Sequence, residues 1–186
     1  MTFTVQPLAE LPDVLVVTPK VFSDERGVFF ESWHAEKFAE LGFDEPFVQD
    51  NQSVSGSGVL RGLHYQLPPM AQGKLVRVVV GEVFDVAVDI RRSSPTFGRW
   101  AAHRLSAANR EMLWLPAGFA HGFSVVGSGA VMVYKCTAPY SAPHERTILW
   151  NDPQIDVAWP AGDGTGAQVS SKDRAGLPLR VAELYP

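Results

Sequence analysis

An arginine, a histidine and a lysine fall within one short stretch: Arg61 and His64 in "GVLRGLHYQ" (58–66), and Lys74 in "QGKLVRVVV" (72–80). A neutral imidazole titrates near pH ~6.5 and can accept a proton at cytoplasmic pH. A lysine beside it offers a fixed cation to a developing oxyanion. A guanidinium fork suits phosphate oxygens. On a straight strand, residues three apart face opposite ways, so Arg61 and His64 share a site only if the chain bends. Gly62 permits that bend. A lone histidine or lysine is more often a satisfied core group or a solvated one. Three such groups bordering an apolar strand need a partner or a function.

A metal reading of His64 is weak. Metal-binding cupin barrels offer an H-x-H pair, a carboxylate and a later histidine, but position 66 is Gln66. His121 could be the later histidine, yet two imidazoles without a close carboxylate make a poor divalent site. No catalytic metal is expected. Other polar residues sit among apolar or aromatic neighbours. Tyr134 lies in "VMVYK", where an amphipathic core tyrosine is the plain alternative. Gln49, Asp50 and Asn51 in "VQDNQSVS" could be turn chemistry. Arg26 and Glu31 in "DERGVFFES" could be a surface ion pair, worth little. "SSKDR" (170–174), with Lys172 and Asp173, could be a solvated loop.

The elements that must position these groups read as short strands. "LVRVVV" (75–80) is apolar and β-branched, "GE" (81–82) signals a turn, and "VFDVAVDIR" (83–91) alternates. In that run Phe84, Val86, Val88 and Ile90 share one face, and Val83, Asp85, Ala87 and Asp89 the other. The small and acidic face predicts a strand lining a polar cavity. "MLWLP" (112–116), "HGFSVV" (121–126) and "AVMVYKCTA" (130–138) are further strands, the last two separated by "GSG". "HAEKFAELG" (34–42) has helical spacing and ends on Gly42 as a C-cap. Segment 160–176 reads as a polar loop too short to divide domains, so one domain over 1–186 is expected. The pattern predicts an all-β sandwich or barrel with few short helices.

Composition removes several classes. At 186 residues and 46% hydrophobic, the chain can bury a core. A net charge of −4 with interspersed signs argues against nucleic-acid binding through phosphates. One cysteine, Cys136, excludes an internal disulfide and a Cys-rich zinc site, and fits a reducing cytoplasm. The N-terminal "MTFTVQPLAELPDV" lacks the basic region of a secretion signal, and no apolar run approaches ~18–20 residues. An intracellular protein without membrane contact is expected.

Taken together, "VFSDERGVFFES", "FVQDNQSVS", "GVLRGLHYQ", "QGKLVRVVVGEVFDVAVDIR", "SPTFGRW", "LWLPAGFAHGF", "YKCTAPYSAPHE", "WNDP" and "SSKD" resemble the dTDP-4-dehydrorhamnose 3,5-epimerase family, in its order, from about residue 20 to residue 175. The resemblance implies a cupin-like jelly roll of two antiparallel sheets, a homodimer with a shared active site, and no cofactor or metal. The substrate it implies is dTDP-4-dehydro-6-deoxy-D-glucose, inverted at C3 and C5. His64 matches the general base, Asp173 its paired carboxylate, Tyr134 the acid on the far face, and Lys74 the cation near the C4 oxygen. Arg26 and Glu31 match nucleotide contacts, with Arg26 reaching into the partner subunit's site. Gln49, Asp50, Asn51, Arg61, His121, Tyr140, Glu145 and Lys172 match further substrate contacts, with Arg61 at the diphosphate and Tyr140 stacked on thymine. Pro139 departs from the family, where an aromatic often precedes the residue matching Tyr140. Rivals are an epimerase acting at C3 or C5 alone, a non-catalytic sugar-nucleotide-binding cupin, and a metal-dependent cupin.

Overall fold

The computed structural model describes residues 2–43, 45–160 and 166–186. Two long strands organise it, β7 (Lys74–Asp89) and β10 (Phe119–Cys136), paired antiparallel along their whole length. Each is long enough to serve two layers. The first part of β7 pairs with β9 (Met112–Leu115), which continues to β2 (Leu15–Pro19) and β1 (Phe3–Pro7). The second part pairs with β8 (Trp100–Ser106). Likewise the first part of β10 pairs with β6 (Val59–Gln66) and the second with β5 (Gln49–Gly56). β11 (Glu145–Thr147) continues antiparallel beyond β6, while β12 (Gln168–Val169) joins β6 in parallel. The result is the expected all-β sandwich, its two sheets continuous through β7 and β10.

Two sequence expectations change here. "GE" and "GSG" are not turns between strands: β7 and β10 run through them. The ladder passes from Val126↔Glu82 to Ala130↔Gly81, so residues 127–129 bulge out. Valine-rich stretches on both sides of each glycine pair with the same partner strand, which overrides the local turn signal. Gly81 has φ +76°, and a Cβ there would lie 2.0 Å from the Gly129 carbonyl oxygen. Gly81→Ala is therefore expected to cost about 3 kcal/mol or more in chemical denaturation, through left-handed strain plus a backbone clash.

Alternation along β7 sends its two faces into two cores. Val76, Val78, Val83 and Ala87 pack with Leu105, Leu113, Phe123 and Met132. Val86, Val88 and Ile90 pack with Leu60, Leu63, Ile148 and Trp159. Asp85 and Asp89 share the first face, but among the described residues that face lines no cavity: both carboxylates are fully buried, and Asp85 lies behind His121. Asp89 is fully buried at the strand's end, where Arg91, Ser94 and Thr96 donate to its carboxylate.

Helix α1 (Ala35–Glu40) forms as its spacing predicts and closes at Gly42, whose N–H donates to the Ala39 carbonyl. Its one buried residue, Phe38, sits against Phe3 and Phe43. Strands β3 (Val21–Asp24) and β4 (Gly27–Phe30) form a separate hairpin with Phe22, Val28 and Phe29 exposed. Among the described residues, no helix is long and apolar enough to cross a membrane.

Candidate active site

His64 stands on β6, directly opposite His121 on β10. Arg61 is opposite Phe123, so Gly62 and Leu63 together face only Gly122. This bulge is the bend that the spacing of Arg61 and His64 required. It depends on glycine. Gly62 has φ +126°, and a Cβ there would meet the Gly122 Cα at 2.5 Å. The bulge re-aims the strand, and Arg61 and His64 line one hollow despite their odd separation.

Each imidazole holds its own carboxylate. His64 Nε2 lies 2.6 Å from Asp173 Oδ1. His121 Nε2 lies 3.0 Å from both oxygens of Asp85, which is fully buried. Asp173 comes from a segment that reads as a polar loop. In the fold that segment carries β12 and the single-turn helix α2 (Ser171–Arg174), with residues 161–165 outside the described set. Ser170 caps the helix by accepting the Asp173 N–H at 3.1 Å, and the Gly62 N–H donates to Asp173 Oδ2 at 3.4 Å. Burial alone would raise the Asp173 carboxyl, but bonds from His64 and Gly62 outweigh it and hold the group below the usual carboxylate value. The Asp85–His121 pair escapes sequence reasoning. Its only signal is an aspartate on the small-residue face of β7.

Two adjoining hollows of about 160 and 180 Å³ share His64, Lys74 and Tyr134. The second adds Ser53, Arg61 and His121. Lys74 Nζ donates to the His64 carbonyl at 3.4 Å, and burial pushes its ammonium below the ordinary lysine value. Burial also raises the Tyr134 phenol, keeping it protonated across the physiological range. A half-buried cation with one long hydrogen bond costs folding free energy. Lys74→Met keeps the shape and removes the charge. It is expected to raise Tm by ~2–5 °C while activity is lost, as calorimetry and a rate assay would show. The gain should shrink at high pH. Folding lowers the lysine's proton affinity, so the wild type regains stability as pH rises through its depressed folded value toward 10.5.

The first hollow also carries Gln49, Asn51, Gln66, Tyr140 and Glu145. Gln49 Oε1 accepts the Tyr140 N–H at 2.8 Å, and Tyr140 Oη donates to Glu145 Oε2 at 2.9 Å. Lys172 Nζ reaches Glu145 Oε1 at 2.5 Å. Burial opposes ionisation of Glu145, but Lys172 and Tyr140 overcome it and its carboxyl sits below the usual value. Gln66, which the sequence offers only as a missing metal ligand, anchors the rim: its amide accepts from the Ser141 N–H and donates to the Met70 and Pro139 carbonyls.

Three expected contacts are not gathered here. Asp50 pairs with Lys135 at 3.0 Å beside a larger hollow of about 450 Å³ that is also lined by Asn51 and Tyr134 but has no imidazole. Glu31 pairs with Lys37 at 2.7 Å. Arg26 sits at the tip of the β3–β4 hairpin, largely exposed and paired with Asp24.

Comparison with known proteins follows the same lines. The family model described as dTDP-4-dehydrorhamnose 3,5-epimerase matches residues 8–180. The chain belongs to that family. The dTDP-4-dehydrorhamnose 3,5-epimerase of Pseudomonas aeruginosa is 52% identical over 95% of this chain and 96% of its own. The Shigella flexneri enzyme of the same name is 61% identical over 81% and 84%. A crystal structure of the Legionella pneumophila dTDP-6-deoxy-D-glucose-3,5-epimerase, in complex with dTDP-4-keto-L-rhamnose, superposes with a TM-score of 0.92 at 46% identity, over 97% of this chain and 95% of that one. Family membership accounts for a β-sandwich whose polar cavity is built on β5, β6, β7 and β10.

Proposed function

We propose that this epimerase inverts dTDP-4-dehydro-6-deoxy-D-glucose at C3 and C5 to give dTDP-4-dehydro-L-rhamnose. The observation that carries the reading is the His64–Asp173 pair opening on a cavity shared with Lys74 and Tyr134. A ketone at C4 acidifies the hydrogens on both neighbouring carbons. With Nε2 held by Asp173, the other nitrogen of His64 accepts the proton, and Asp173 steadies the imidazolium. Charge collects on the C4 oxygen as the enolate forms. Lys74 neutralises it there. Tyr134 then donates its phenolic proton to the opposite face of the ring, which inverts the carbon, and proton exchange with solvent restores both groups.

Binding divides among the other groups. Arg61 holds the diphosphate. Gln49, Asn51, Glu145 and Lys172 hold the nucleotide sugar, with Tyr140 stacked on the thymine and His121 against the sugar. Arg26 sits on a hairpin with an exposed apolar face, which suits an arm reaching into the site of a second subunit in a homodimer. Asp50 and Glu31, outside the two hollows of the single chain, complete the proposed substrate contacts. The reaction belongs in the cytoplasm and needs neither cofactor nor metal.

Incubation with the 4-keto sugar nucleotide in D₂O tests the assignment by NMR. Deuterium at both C3 and C5 of a product inverted at both carbons is the expected result, unchanged by a chelator. Label at one carbon would make the chain a single-position epimerase. No label alongside tight dTDP binding would make it a binding protein.

A further inference from the structure

Strand β5 carries its polarity on the wrong face for a sandwich. Gln49, Asn51, Ser53 and Ser55 point one way, with Ser55 buried, while Val54 between them is exposed. A strand folded only for stability would turn the valine inward and the serines out. Gln49 and Asn51 line the first hollow and are already placed in substrate binding. The two serines are not.

They stand differently toward Arg61. Ser55 Oγ accepts from Arg61 Nε at 3.1 Å, and the Val54 carbonyl accepts from Nη2 at 3.4 Å. One edge of the guanidinium is thereby tied to β5, and Nη1 has no partner among the described residues. Ser53 lines the hollow together with Arg61, His64 and His121, and its buried hydroxyl has no hydrogen-bond partner among the described residues. A buried hydroxyl without a partner is costly, and a cavity beside an arginine is where a ligand oxygen would satisfy it.

We propose that Ser53 and Ser55 act as a pair in seating the substrate's diphosphate: Ser55 is a positioning residue that fixes the orientation of Arg61, and Ser53 donates directly to a phosphate oxygen beside it. This rests on the reading of the chain as a dTDP-sugar epimerase. Tying Nε and Nη2 removes the side chain's freedom before binding, so less entropy is lost when the anion arrives. Ser53 supplies an uncharged O–H donor to the anion beside the charged fork of Arg61.

The experiment compares wild type, Ser53→Ala, Ser55→Ala and Ser55→Thr in steady-state kinetics, and measures binding of dTDP and of thymidine by calorimetry. Each alanine variant should raise KM and weaken dTDP ~10-fold while kcat changes less than twofold, since a hydrogen bond to a charged group is lost. Thymidine affinity should not move, because it has no phosphate. Ser55→Thr keeps the hydroxyl and should restore dTDP binding. Unchanged KM and dTDP affinity in both alanine variants would overturn the proposal, as would equal loss for thymidine and dTDP. Absence of epimerisation by the wild-type protein would instead remove the underlying reading, and dTDP-against-thymidine binding would still report on the seat.

Discussion

His64→Ala is expected to abolish deuterium exchange at C3 and C5 and to lower kcat by ~10²–10⁴-fold, while dTDP still binds. The effect is large because one imidazole serves both carbons, and neither inversion can begin without it. The second histidine cannot substitute. His121 is bonded through Nε2 to both oxygens of a fully buried Asp85, and it stands across the strand pair rather than at the position of His64. Truncation also strands Asp173 without the imidazole that holds its carboxyl down, so some stability is lost. His64→Asn separates the two effects: it keeps an N–H donor but no base, and should fold better than the alanine variant while remaining as inactive. Exchange measured by NMR, with folding checked by circular dichroism, decides the matter. Retained exchange in either variant would remove His64 as the base.

Tyr134→Phe should divide the reaction instead of stopping it. The phenol is raised by burial and stays protonated, so it is an acid waiting for a carbanion. Without it His64 still removes a proton and can return it to the same face. The variant should therefore wash solvent deuterium into recovered substrate while formation of inverted product falls ~10²-fold or more. Loss of both together would place Tyr134 in binding. An unaltered epimerisation rate would place it outside the chemistry.

The fold was legible where pattern and packing agree. Alternation in "VFDVAVDIR" separates two faces, but both enter apolar cores and the small, acidic one does not line the polar cavity expected of it. The spacing of Arg61 and His64 posed a geometric condition, and the bulge at Gly62 meets it. Sequence reading failed where tertiary pairing overrides a local signal. Gly81 and the Gly127–Ser128–Gly129 run look like turn residues, yet continuous strand partners on both sides make them a bulge. It also failed where contacts join distant segments. Nothing near position 85 says that Asp85 will meet His121, and the local pattern of 160–176 shows only a polar loop: the family resemblance alone pairs Asp173 with His64, and the Ser170 cap that seats it is legible only in the fold. Asp50 matches a family motif, and in the single chain its carboxylate turns to Lys135, outside the two hollows that hold the imidazoles.

A crystal structure of the protein with a bound dTDP-hexose measures the central geometry directly. The imidazole of His64 and the hydroxyl of Tyr134 should lie against opposite faces of the sugar ring, with the Lys74 ammonium beside the oxygen on C4. Both groups on one face of the ring, or a hexose seated away from the hollows they share, would contradict the mechanism.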